Sequence, residues 1–111
     1  MPKPREYTIE ECREKFLTHV AVMADYWAKL PGLSVEARCE GVAFSLLVAL
    51  DGGTMALPLF VVTPGPHPDD KEYHFRRGED WWPSEGDIAG TLHESFHEAV
   101  GKFKASKPKG R

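Results

Sequence analysis

A chain of 111 residues is the size of one domain, and 41% apolar residues suffice for a core and exclude disorder throughout. With 14 basic and 17 acidic residues the net charge is −3, the opposite of the concentrated positive surface that nucleic acid demands. No apolar run approaches the roughly 20 residues of a membrane-crossing helix. The N-terminal MPKPREYTIEE has no apolar segment of the signal-peptide kind, so a cytoplasmic protein is expected.

Met1 to Tyr7 is a charged, proline-bearing lead-in, expected to be loose. Thr8-Ile9-Glu10-Glu11 then forms a capping box, in which hydroxyl and carboxylate satisfy each other's orphan N–H groups. Ile9, Cys12, Phe16, Val20, Met23, Trp27 and Leu30 recur at steps of three and four. That spacing predicts a helix of five to six turns, ended by Pro31-Gly32.

The most apolar stretch, residues 34–68, supports two readings up to Leu50. As a helix, Val35, Cys39, Val42, Leu46 and Ala49 lie on one face, Ser34 is the N-cap and Gly52 the left-handed terminator. As strands, Val42–Leu50 and Leu57–Thr63 flank the hairpin signal Asp51-Gly52-Gly53-Thr54. Gly41 counts against a helix interior, at about 1 kcal/mol, whereas the Ala and Leu content favours one. Leu59 to Val62 is a strand on either reading, with Glu72–Arg76 (EYHFR) or a neighbouring subunit as its pairing partner. Cys12 and Cys39, each within an apolar helical pattern, are expected reduced and buried.

Thr63 to Asp70 is a proline-punctuated loop, extended before each proline. Residues 77–87 form a second turn-rich loop. Asp87 is expected to cap a final helix whose apolar face is Ile88, Leu92, Phe96, Ala99, Val100 and Phe103. The whole is expected to be an α+β domain over 1–111. It has a long N-terminal helix, a second helix (or strand) over 34–50, a small antiparallel sheet around 57–63 and a C-terminal helix over 88–103. Residues 1–7 and 104–111 are expected to be flexible. A homodimer is expected, because the apolar supply is large for so few elements and a short sheet leaves open edges.

Two constellations carry possible chemistry. The loop HPDDKEYHFRRGEDWWP gathers His67, Asp69, Asp70, Arg76, Arg77, Trp81 and Trp82, a density of charge and indole typical of binding loops held out by a scaffold. One of the two tryptophans is expected to pack inward and the other to stay partly exposed.

The second constellation is His93-Glu94-Ser95-Phe96-His97, which resembles the HExxH motif of zinc metallopeptidases. That resemblance implies His93 and His97 as zinc ligands and Glu94 as general base. A further ligand would have to come from His67, Asp69, Asp70 or His74. In the simpler reading the same residues form the wet side of an amphipathic helix, with no metal.

The segments EGVAFSLLVALDGG, PHPDDKEY, GEDWWP and LHESFHE together resemble small bacterial or prophage-borne proteins of unknown function, which implies no activity. The leading functional expectation is a non-enzymatic binding or regulatory module, without cofactor, that presents residues 67–82 to a protein or small molecule. A zinc-dependent hydrolase is the alternative.

Overall fold

Four helices in a computed structural model account for the regular structure of residues 3–107, the residues described. Helix α1 spans Ile9–Lys29 and begins with the capping box read from the sequence: the Glu11 N–H donates to Thr8 Oγ1 at 3.1 Å, and the Thr8 N–H to Glu11 Oε1 at 2.9 Å. Arg5 clamps the same carboxylate through both terminal nitrogens, and this pairing holds Glu11 at about 2. Of the ends expected to be loose, Lys3–Tyr7 is therefore tethered through Arg5, and residues 1–2 and 108–111 lie outside those described.

Helix α2 spans Val35–Leu50, which decides the 34–50 ambiguity for helix. Ser34 Oγ accepts from the Ala37 N–H, and Gly52 takes φ +84°, the conformation a side chain resists, just past the end. The contact between α1 and α2 explains Gly41. A Cβ there would stand 2.5 Å from the Trp27 ring, so the glycine lets the indole lie flat on the α2 backbone. Trp27 Nε1 then donates to Ser45 Oγ at 2.9 Å, and Arg38 reaches back to the Leu30 carbonyl at 2.8 Å. Cys12 and Cys39 are free, but neither is buried: Cys12 is half-buried, and Cys39 is exposed because the α1 contact falls on the face of Gly41 and Ser45.

The expected sheet is absent: none of the described residues is in a strand, so the domain is all-helical and not α+β. Residues 59–63 do alternate exposed and half-buried, as an extended chain does, but they find no second strand. The assigned partner, 72–76, is instead part of helix α3 (Asp70–Arg76). The sequence DKEYHFRR satisfies three i,i+4 pairs as a helix: Glu72 with Arg76, Lys71 over the Phe75 ring, and Tyr73 with Arg77.

The last helix, α4, spans Leu92–Ser106, four residues later than predicted at its start. Gly90, at φ +113°, interrupts the run, and Asp87 bonds the Val62 and Ala89 N–H groups instead of capping the helix. Lys104 to Ser106, expected to be loose, are helical, and Lys104 pairs with Glu36 and Glu40 on α2. Helix α2 therefore packs against α1 on one side and α4 on the other, while α3 packs against no other helix.

The molecule is thin, 59 × 46 × 19 Å. Its radius of gyration is 18.5 Å, against about 13 Å for a compact chain of this length. Its accessible surface is 9168 Å², where a compact monomer of 12.4 kDa exposes about 6,100 Å². Ala49 is the one fully buried apolar residue among those described.

Gly41→Ala tests the indole contact. Helix propensity alone would stabilise the variant by about 1 kcal/mol. The clash with Trp27 reverses the sign, to a net loss of about 1–2 kcal/mol read from urea unfolding midpoints.

Candidate functional site

Asp51 follows the last residue of α2, and its carboxylate turns into the start of α4. It accepts from the Gly90 N–H at 2.5 Å, the His93 N–H at 2.7 Å and His93 Nδ1 at 2.6 Å. The side chain is 0% exposed. Burial alone would raise its pKa, but the bonds from the His93 backbone and ring, with those from Gly90 and Leu92, override burial and hold it at about 2. Thr91, in the N-cap position of α4, makes no side-chain bond. A carboxylate 42 residues away thus caps the helix that Asp87 was expected to cap.

This bond fixes the HESFH face. With Nδ1–H donated to Asp51, the Nε2 of a neutral His93 carries the lone pair, and the ring lies edge-on to Phe44 at 5.9 Å. His97 stacks on the same Phe44 at 5.4 Å, while Glu94 is exposed. His93 is therefore partly buried and not on the wet side of the helix.

A carboxylate orienting an imidazole is also the usual outer support of a metal ligand. Here, however, the donor set stops at two histidines. Among the described residues no group of three or more His, Cys, Asp or Glu is placed to hold a metal ion. The four proposed upstream ligands are elsewhere. His67 Nδ1 accepts from the Asp69 N–H, Asp69 and Asp70 are exposed at the start of α3, and His74 is engaged with Glu79 and Trp81. A pair of imidazoles falls short of the three protein ligands of a catalytic zinc, so the residues present do not fit that group.

The second constellation condenses around His74. Its ring stacks on Trp81 at 4.4 Å and 19°, meets Tyr73 edge-on at 5.1 Å, and places Nδ1 3.2 Å from Glu79. Arg77 joins Glu79 at 3.2 Å and donates to the Tyr73 hydroxyl at 2.7 Å. Gly78, at φ +76°, turns the chain so that the Glu79 N–H returns to the His74 carbonyl.

This frame fixes Trp81 and leaves Trp82 beside it, 67% exposed. The indoles, with Pro66, Pro68, Lys71, Pro83, Ser84 and Glu85, line an open cleft of about 480 Å³. Of the residues picked from the sequence, only Trp81 and Trp82 line it. Arg76 and Arg77 are taken up by Glu72, Glu79 and Tyr73, and His67, Asp69 and Asp70 are not among the lining residues. The prolines and Lys71 were missed, although PGPHP and WWP already signalled rigid walls at that spacing.

No helix among the described residues is long and apolar enough to cross a membrane. No family model matches the chain, and neither does any curated protein or solved structure compared with it.

The depressed Asp51 pKa gives a signed expectation. The group sits lower in the folded chain, about 2, than its ordinary 3.8. Its contribution is therefore complete above about pH 4 and is lost as pH falls towards 2. Asp51→Ala should cost about 2–3 kcal/mol at neutral pH by urea denaturation, because the N–H groups of Gly90 and His93 lose their acceptor. In Asp51→Asn the acid-dependent loss between pH 4 and 2 should shrink relative to the native chain.

Proposed function

We propose that this chain is a non-enzymatic binding module whose cleft, built from Trp81, Trp82, Lys71 and three prolines, takes an extended segment of a partner protein. The observation that carries the reading is Trp82: a large indole left in solvent beside a second indole that the His74 stack and the Glu79–Arg77 brace hold still. Exposed aromatic surface on a fixed base is what a binding site gains most from, since the ordering cost is met before the ligand arrives. Paired indoles match the aromatic-lined grooves that take extended, proline-bearing peptides. Lys71 and Glu85 place one charge of each sign in the lining, so the cleft is neutral and its aromatic surface carries the reading. The free cysteines accord with a reducing, cytoplasmic setting.

Selection of short displayed peptides on the purified protein tests this. Selected binders should lose about 30-fold in affinity on Trp82→Ala, the scale of an interface hot spot, with the helical circular dichroism signal unchanged. Trp81→Ala should also weaken binding, but through loss of the His74 stack, seen as a change in the His74 resonances. Peptides that bind Trp82→Ala as tightly as the native protein would end the proposal.

A further inference from the structure

Residues Leu59 to Thr63 use only one of their two edges. The N–H groups of Phe60 and Val62 turn inward, to the Leu50 carbonyl at 3.2 Å and to Asp87 Oδ1 at 2.7 Å, and the Val62 carbonyl accepts from the Ile88 N–H at 2.8 Å. The N–H groups of Leu59, Val61 and Thr63, which alternate with these, make no hydrogen bond among the described residues. In an extended chain alternate residues present their N–H and C=O to opposite edges, so this is an open strand edge of sequence LFVVT. Two of its three outward side chains are apolar, Leu59 at 61% and Val61 at 73% exposed, and the third, Thr63, donates its hydroxyl to the Gly86 carbonyl. Phe60 meets Phe16 edge-on at 5.4 Å, and beside that pair lies an apolar groove lined by Ile9, Cys12 and Leu50.

We propose that this edge pairs antiparallel with the same edge of a second copy of the chain, making a two-fold homodimer centred on Val61. In that register the Val61 N–H groups donate to each other's carbonyls, and Leu59 faces Thr63 of the second copy. Every free N–H of the edge then has an acceptor, which a two-fold arrangement of identical edges supplies by symmetry.

The surface area names a second copy as the occupant. The chain exposes about 3,000 Å² more than a compact monomer of its size. If each copy hides half of that excess, the interface totals about 3,000 Å², within the range of obligate homodimers. An edge rich in β-branched residues with an adjoining apolar groove supplies the ladder and the side-chain contact together.

Sedimentation and amide hydrogen exchange on the native protein, with Val61→Pro as the variant, test the pairing. A species of twice 12.4 kDa is expected at tens of micromolar. Exchange at Leu59, Val61 and Thr63 should slow as concentration rises, while Phe60 and Val62 stay unchanged. Val61→Pro removes an N–H that no bond within the chain uses. It should weaken association about 100-fold, as for the two central hydrogen bonds lost, with helix content retained. A native chain that stays monomeric, a dimer whose Leu59, Val61 and Thr63 amides exchange freely, or a Val61→Pro chain that dimerises like the native one overturns the proposal. If the variant loses its helices, exchange in the native protein decides.

Discussion

One buried carboxylate joins the two halves of this chain. The Asp51 N–H closes the last turn of α2 on the Leu47 carbonyl, while its side chain collects the first N–H groups of α4. The same residue thus lies between the electronegative end of one helix and the electropositive end of another, where a negative charge favours the second. Everything from Gly52 to Thr91 is an excursion between two points that this residue holds together. That excursion carries the open edge and the aromatic cleft.

The first helix was legible because its signals are local, and the second was legible only as one of two readings. Thr8 and Glu11 are three residues apart, and Ser34 and Gly52 bracket a helical pattern that needs no distant partner. The Gly41 objection failed because its cause lies on another helix: Trp27, 14 positions earlier, requires the gap.

The sheet was misread for a related reason. LFVVT has strand composition and keeps strand-like alternation, but pairing is a property of two segments, and i,i+4 side-chain pairs draw EYHFR into a helix. The start of α4 was misplaced because Asp87 is a plausible cap in sequence, whereas the working cap comes from a residue whose neighbours, Gly52 and Gly53, had marked it only as part of a turn. In the 67–82 loop, charge density drew attention to residues that neutralise one another, while the uncharged prolines line the cleft.

The distribution of apolar surface follows from the same layout. Helix α2 is central and touches both long helices, so the packed interior is a single seam one helix wide. A seam of that width cannot cover the outer faces of α1 or the extended segment after Leu57. The carboxylates of Asp51, Asp87 and Glu11 all bond within the chain, while large apolar side chains are left at the periphery, where they meet whatever lies alongside.

Helix α3 has seven residues and no helical neighbour. A helix that short is marginal in water by itself, so how fully the cleft is formed rests on the His74–Trp81 stack and the Glu79–Arg77 pair. A ligand's apparent affinity is then its affinity for the formed cleft scaled by the fraction of molecules in which that cleft is formed. Pro64, Pro66, Pro68 and Pro83 bracket α3 and restrict the opened chain more than the closed one, which raises that fraction without touching the ligand. Their contribution to binding would be entropic, exerted on the state in which nothing is bound.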